Sequence, residues 1–221
     1  MGPQPAPFVE AYWVILVAAV LVSTAIALLR GGRLSALSGL EIRYGWLAVA
    51  AVALQYPFVF NQIRDGVLWG LPVAQWLLAV SAGMLAWVVW ANRRLPGLSL
   101  VGLGLGLNVL VMACNGGWMP IAPEALERLG HSSWVSSNGE SAKVWGAKNV
   151  MRPLADTRLW WLSDVIVLTR PFPLPTAFSP GDVLIAAGVF WLLQSALRPP
   201  VAVGRRQEAG ASAGKDTGRR E

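Results

Sequence analysis

The sequence predicts an all-α protein: a polytopic bundle of five transmembrane helices with a long, partly helical loop between the fourth and the fifth. Hydrophobic residues make up 55% of the 221 residues and charged residues only 14%, with 12 tryptophans and a mean hydropathy of +0.51. This balance is typical of membrane proteins. Apolar runs close to the roughly 20 residues that span a hydrocarbon core also recur along the chain.

The five predicted helices follow from these apolar runs. They are expected at 11–29, 45–60, 68–91, 98–114 and 180–197. The chain then divides into an extracytoplasmic N-terminal tail at 1–10, four helices within 11–114, an extracytoplasmic loop or lid at 115–179, the last helix at 180–197, and a basic tail at 198–221. The tail has no periodic apolar positions, so we expect it to be disordered in the cytoplasm.

Basic residues cluster after the first, third and fifth helices, whereas the second-to-third connection carries only Arg64. Because cytoplasmic loops carry an excess of Lys and Arg, the pattern predicts an N-out, C-in orientation in a bacterial cytoplasmic membrane. The clustered residues are Arg30, Arg33, Arg43, Arg93, Arg94, Arg198, Arg205, Arg206, Lys215, Arg219 and Arg220.

The long loop is expected to lie on the membrane surface. Residues 123–129 read as a short helix that begins with a proline and an acid and stops at Gly130. Five tryptophans could either anchor in the headgroup layer or pack within the loop itself. They are Trp118, Trp134, Trp145, Trp160 and Trp161.

Composition also limits the partners. The net charge of +6 comes from short basic clusters beside apolar runs, which favours a lipid bilayer as partner over nucleic acid. No His, Cys, Asp or Glu cluster has metal-ligand spacing, and the single cysteine, Cys114, lies in an apolar run. We therefore expect no metal and no cofactor.

Two asparagines mark one face of the fourth helix. Asn108 and Asn115 are seven residues apart, so they lie two turns apart on the same side. Amides at this depth either cross-link helices or line a cavity. Gly116 and Gly117 then end the helix ahead of Met119-Pro120, and they could also let a substrate approach the backbone.

Two aspartates bracket a proline-rich linker near the predicted outer edge of the membrane. Ser179-Pro180-Gly181-Asp182 reads as a capping box at the start of the last helix, which accounts for Asp182 without any catalytic role. Asp164 sits in an apolar run, where an acid is disfavoured. If the linker folds the two carboxyl groups together, they could share a proton and activate a water molecule.

These motifs resemble those of a family of uncharacterised bacterial multi-pass membrane proteins, a domain of unknown function. The features that carry the resemblance are Asn115–Pro120, an apolar helix end reading Asn-Gly-Gly-x-Met-Pro, then Leu162–Val165, then the Ser-x-Gly-Asp of Ser179–Asp182. Ser163 stands where that family tends to have glycine. The resemblance implies no known activity.

Residues 162–193 are also similar, more locally, to the end of lipoprotein signal peptidase. In that family two aspartates form the catalytic dyad, and the resemblance implies these roles for Asp164 and Asp182. Ser179 replaces an asparagine of that family, and its Gly-Asn-x-x-Asp-Arg segment is not recognisable in 146–156.

Two functions of different class stay open at this point, and the sequence leaves open whether the protein is an enzyme. The first is a non-enzymatic membrane component that binds a protein or lipid partner at an outward-facing site, with Asn108, Asn115, Gly116, Gly117 and Ser179 as binding residues. The second is an aspartyl peptidase-like hydrolase that acts on a membrane-anchored peptide through Asp164 and Asp182. Transport is less favoured, because no inverted repeat is evident.

Overall fold

The structure, a computed structural model, describes residues 11–59, 66–138, 142–144, 148–172 and 174–198. Most of these residues are helical, as the sequence predicts. The tails at 1–10 and 199–221, as well as Arg64 and Trp145, lie outside the described residues, and so do the expectations placed on them.

Five apolar helices form the body of the molecule: α1 (Ala11–Leu29), α2 (Gly45–Val59), α3 (Val73–Ala91), α4 (Leu98–Cys114) and α7 (Pro180–Ala196). By length and composition, one helix in the described part, α3, is long and apolar enough to cross a membrane. The other four apolar stretches are shorter, so five spans are not supported on this criterion.

Helix α3 begins later than expected, at Val73 and not at residue 68. Trp69 and Gly70 both adopt positive φ, at 51° and 79°, and form the tight turn of a hairpin between β1 (Val67–Leu68) and β2 (Leu71–Pro72). The apolar run alone could not indicate this, because its composition suits either a strand or a helix.

The expectation of an all-α fold is wrong in detail, because the described chain contains short strands as well. Besides the β1–β2 hairpin, β3 (Met119–Ile121) pairs in parallel with β4 (Asn149–Met151), and β5 (Ile166–Leu168) pairs antiparallel with β6 (Thr176–Phe178). Two short helices, α5 (Pro123–Arg128) and α6 (Ser132–Ser137), complete the segment between α4 and α7. Helix α5 and its stop at Gly130, where φ is 93°, were predicted.

We call the described residues between 115 and 179 the cap. Trp118, Met119 and Leu162 of the cap pack with Val111 and Met112 at the end of α4 in one buried cluster. A second cluster, inside the cap, includes Ile121, Leu126, Val144, Met151 and Ala177. The cap is therefore a folded unit seated on the bundle.

Helices α4 and α7 run antiparallel in close contact through glycine pairs. A Cβ atom on Gly188 would lie 2.6 Å from the Gly97 carbonyl oxygen, and one on Gly104 would lie 3.0 Å from the Ile185 nitrogen and closer still to the Gly181 carbonyl oxygen. Real Cβ atoms do not approach backbone so closely. The seven-residue spacing of Gly97 with Gly104, and of Gly181 with Gly188, thus brings the two backbones together.

Polar side chains join the other helices. Ser23 on α1 is fully buried, donates to the Phe190 carbonyl and accepts from Gln194 Nε2 on α7. Ser81 on α3, also fully buried, accepts from Gln55 Nε2 on α2 at 3.0 Å. The small polar residues of these helices therefore face neighbouring helices.

Candidate functional site

The N-terminus of α7 carries the predicted capping box. Ser179 is the N-cap; its Oγ accepts a hydrogen bond from the Asp182 backbone N–H at 3.1 Å. In return, Asp182 Oδ2 accepts from the Ser179 backbone N–H at 3.0 Å. Pro180 occupies the first helical turn, where its missing N–H costs nothing. The side chain of Asp182 thus satisfies its own helix end.

Asp182 also reaches across to α4. Asn108 Nδ2 donates to Asp182 Oδ1 at 2.8 Å, which joins residues 74 positions apart. The Ser179 hydroxyl lies 2.8 Å from both Asn108 Oδ1 and Asp182 Oδ2, and its single proton serves one of them at a time. Asp182 is only 9% exposed and Ser179 is fully buried. We call Asn108, Ser179 and Asp182 the α4–α7 clasp.

The close approach at Gly181 is what allows this clasp. A Cβ atom at position 181 would overlap the Asn108 side chain and lie 2.8 Å from the Gly104 carbonyl oxygen. Glycine in the Ser-x-Gly-Asp motif therefore has a packing reason: it brings the start of α7 within hydrogen-bonding distance of the α4 amide.

Asp164 occupies a separate hydrogen-bonded position in the cap. It is 8% exposed, its Oδ2 accepts from Asn149 Nδ2 at 2.7 Å, and its backbone N–H donates to the Pro120 carbonyl at 3.3 Å. The buried acid is thus accommodated by an amide from β4. Sequence reasoning missed Asn149, because nothing in the run around 149 indicates that it faces an acid 15 residues later.

The proline-rich linker does fold back on itself. Strand β5 begins two residues after Asp164, strand β6 ends just before Ser179, and Ile166 pairs with Phe178. The hairpin therefore brings the chain segments that carry Asp164 and Asp182 to the same open end. Their described hydrogen bonds nevertheless run to different partners: Asn149 for Asp164, and Asn108 with Ser179 for Asp182.

Asn115 ends α4 and ties the cap to it. The Nδ2 group donates to the carbonyls of Val111 and Arg158, each at 2.8 Å. The Oδ1 atom accepts from the Arg158 backbone N–H at 3.1 Å and from Arg152 at 3.2 Å. These four bonds use both amide protons and both oxygen lone pairs, so the side chain acts as a cross-link in this structure.

Gly116 and Gly117 form the predicted helix stop, with φ of 79° and 90°. The Gly117 N–H donates to the Met112 carbonyl at 2.8 Å, which satisfies one of the last carbonyls of α4. A Cβ on Gly117 would lie 3.3 Å from the Gln75 backbone nitrogen, so α3 packs against this corner.

The predicted site residues therefore lie in three places. Asn108, Ser179 and Asp182 meet in the clasp. Asn115, Gly116 and Gly117 form the corner between α4 and the cap, and Asp164 lies at Asn149. A ligand-binding role for the amides and glycines, and a catalytic role for the acids, stay predictions.

The outer surface of the cap exposes large apolar side chains. Trp160 and Trp161, in a short 3-10 helix at Trp160–Leu162, are 50% and 53% exposed. Phe172 and Leu174, in the β5–β6 connection, are each 52% exposed. Trp118, by contrast, is buried, with Lys143 Nζ 5.0 Å from its ring centroid. The tryptophans thus divide between internal packing and exposed surface.

Across the described ranges, no group of three or more His, Cys, Asp or Glu residues is placed to hold a metal ion. Burial lowers the pKa of His131, just ahead of α6, below its ordinary value.

Comparisons with known proteins identify a family whose function is unknown. The model of a family of unknown function, DUF5317, matches residues 39–194. An uncharacterised protein of Thermotoga maritima is 30% identical over 128 residues, which is 56% of this chain and 66% of the relative. The match thus spans just under two thirds of that relative's length. No solved structure matches.

Proposed function

The chain belongs to the family of unknown function DUF5317, and from its own structure we propose that it is a non-enzymatic, multi-pass protein of a bacterial cytoplasmic membrane. In this proposal the cap faces outward and binds a membrane-associated partner, either a protein or a lipid. The exposed apolar surface of the cap, at Trp160, Trp161, Phe172 and Leu174, is the observation that carries the proposal.

Membrane insertion is supported by where the side chains of the helices point. Large apolar side chains face outward on every helix of the bundle, whereas buried helix positions include Ser23 and Ser81. A soluble bundle places its large apolar residues inside. The outward-facing set includes Val17, Leu21, Val49, Val52, Val80, Leu103, Leu110, Val183 and Trp191.

The lengths of the helices are compatible with several spans. At 1.5 Å per residue, a helix of 17 residues such as α4 or α7 is about 25 Å long. Hydrocarbon cores of about 30 Å accept helices near 17 residues at the short end of the range, with flanking aromatic and basic residues at the headgroups. Trp90, 56% exposed with Arg93 stacked 4.8 Å from its ring centroid, suits such a flank.

Partner binding is favoured over catalysis because the polar groups of the candidate site bond within the chain. The clasp engages Asp182 with two donors, Asn108 and Ser179, and Asn115 is saturated by four internal hydrogen bonds. Exposed tryptophan and phenylalanine side chains are, in contrast, the residue types enriched where proteins meet partners or the membrane interface.

The orientation can be tested by thiol labelling. In a Cys114→Ser background, single cysteines replace two exposed serines: Ser133 on the cap and Ser35 in the α1–α2 connection. A membrane-impermeant maleimide added to spheroplasts should label position 133 before lysis and position 35 only after it. Equal labelling of both positions before lysis, or labelling of 35 alone, would contradict the proposed placement.

The partner can be tested by crosslinking from the cap. A photoreactive phenylalanine analogue at position 161 should give a discrete protein adduct or a lipid adduct in intact cells. The same analogue at Trp46, which is 70% exposed on α2, serves as a control for generic lipid contact. Identical adducts from both positions would mean that Trp161 is an interfacial anchor and not part of a partner site.

A second candidate is the aspartyl peptidase-like hydrolase, and the β5–β6 hairpin is the observation that favours it. This hairpin brings the flanks of Asp164 and Asp182 to one end, which is what a shared-proton pair requires. In such a pair the ionised carboxylate would take a proton from the water molecule that attacks the amide carbonyl of a membrane-anchored peptide. The protonated carboxyl would give its proton to the amine that leaves as the C–N bond breaks.

Carboxyl-to-amide variants separate the two candidates. Under the favoured proposal, Asp164→Asn and Asp182→Asn cells should show no accumulated uncleaved membrane precursor, and neither should the control Asp156→Asn at an exposed acid. If both site variants, but not the control, accumulate the same precursor at normal protein levels, the hydrolase is the correct function.

A further inference from the structure

A cavity with two arginines in its lining lies at the opposite end of the bundle from the cap, between the C-terminal ends of α1 and α7. Its volume is about 270 Å³. Arg30 follows α1 and Arg198 follows α7, and both line the cavity together with Trp191, Gln194 and Ser195. Among the residues that the structure describes, none of those lining the cavity is acidic. The cavity therefore joins two positive charges with hydrogen-bonding groups and one aromatic ring.

The walls of this cavity are held in place by internal contacts. Gln194 Nε2 donates to the Ser23 carbonyl at 2.6 Å and to Ser23 Oγ at 3.0 Å, which fixes α7 against α1. Arg30 in turn donates to Gln194 Oε1 at 3.4 Å. A Cβ atom at Gly32 would overlap the Leu197 carbonyl oxygen, so the chain after α1 is in backbone contact with the end of α7. The cavity is thus preformed.

Arg30 and Arg198 have more N–H donors than their described hydrogen bonds use. A guanidinium has five N–H donors in a planar fork that matches the oxygens of a phosphate, and Arg30 is described with one long bond to Gln194. Both arginines are exposed, so their charges meet solvent or a ligand. Trp191 is 53% exposed beside them, and such rings lie at the headgroup level of membranes.

We propose that this cavity binds the phosphate headgroup of an anionic phospholipid of the cytoplasmic leaflet, with Arg30 and Arg198 on the phosphate and Trp191 at the glycerol level. The inference rests on the proposed membrane placement, which puts the C-terminal ends of α1 and α7 at the cytoplasmic surface. Basic pockets between transmembrane helices on that side bind anionic headgroups, whose negative charge balances the positive charge of the two arginines.

The test measures retained lipid on the purified full-length protein in detergent by native mass spectrometry, with phosphatidylglycerol and phosphatidylcholine offered in equal amounts. The wild type should retain phosphatidylglycerol in preference. Arg30→Gln combined with Arg198→Gln should lower that retention roughly 30-fold, which corresponds to about 1 kcal/mol for each basic residue that contacts the headgroup. Arg43→Gln combined with Arg94→Gln removes the same charge at exposed positions outside the cavity and should leave retention near wild type.

Every other outcome overturns the assignment. Equal loss in both double variants would mean a general charge effect, and unchanged retention in the Arg30/Arg198 variant would mean that no headgroup binds there. Displacement of the lipid by millimolar inorganic phosphate would identify the site as one for free phosphate. Thiol labelling at positions 35 and 133 reports the membrane orientation independently, so a failure of the proposed function can be told from a failure of this site.

Discussion

Replacement of Asp182 by alanine is expected to lower the free energy of unfolding by about 3 kcal/mol. The variant loses the reciprocal cap of α7, which contributes about 1 kcal/mol, and a hydrogen bond to a charged acceptor, which contributes about 1.5–3 kcal/mol. It also leaves the half-buried Asn108 Nδ2, now bonded to Asp182 Oδ1 at 2.8 Å, without that acceptor. The measurement is unfolding of the full-length protein in a mild detergent, with circular dichroism as the probe.

Two variants calibrate this result. Asp156→Ala removes an exposed acid from a short 3-10 helix in the cap and should change stability by less than about 0.5 kcal/mol. Asp182→Asn keeps one oxygen acceptor and the size of the side chain, so its loss should be smaller than that of alanine. If alanine at 182 is as harmless as alanine at 156, Asp182 does not hold α7 to α4.

Replacement of Asn115 by alanine is expected to cost about 2–3 kcal/mol and to loosen the cap from the bundle. The side chain is 2% exposed and makes four hydrogen bonds, two of them with the Arg158 backbone. Each net bond contributes about 0.5–1.5 kcal/mol, and a buried backbone group left unpaired costs more. Faster hydrogen exchange at the Arg158 amide, measured together with the unfolding midpoint, would report the loosening.

Asn138 offers a matched control for Asn115. Each amide donates to the carbonyl four residues earlier at 2.8 Å, Trp134 for Asn138 and Val111 for Asn115. Asn138→Ala should therefore cost about 1 kcal/mol or less. If the two variants cost the same, the bonds from Asn115 to Arg152 and Arg158 contribute nothing to stability.

The helices and their ends were predictable because local chemistry determines them. The apolar runs predicted α1, α2 and α4 nearly to the residue. Ser179 and Asp182, three residues apart, predicted the capping box. The glycine stop after α4 was predictable from Gly116 and Gly117, because a helix stop requires a positive φ and glycine adopts it readily. Each of these features depends on neighbours within four residues.

The cap could not be predicted in the same way, since its contacts join distant residues. Strands β3 and β4 are three residues each and 30 positions apart in register, too short for a periodic signal. The partner of Asp182 lies 74 residues away on α4, and the partner of Asp164 is an asparagine in a strand that the sequence does not reveal. Only tertiary packing selects these partners.

Glycines on α4 face two different neighbouring helices. A Cβ atom on Gly102 would meet the Val89 side chain of α3 at 2.7 Å. The contact between α4 and α7 instead uses glycines seven residues apart on both helices, Gly97 with Gly104 and Gly181 with Gly188. Matching spacing on two helices is the signal that could have identified this pair.

The central claim is that the Asp182 carboxylate serves to clasp α7 to α4, and a double-mutant cycle tests it most directly. Unfolding of Asn108→Ala, Asp182→Ala and the double variant in detergent gives the coupling free energy between the two side chains. The clasp predicts a coupling of about 1–3 kcal/mol, with the double variant less destabilised than the sum of the single ones. Additivity within about 0.5 kcal/mol would contradict it.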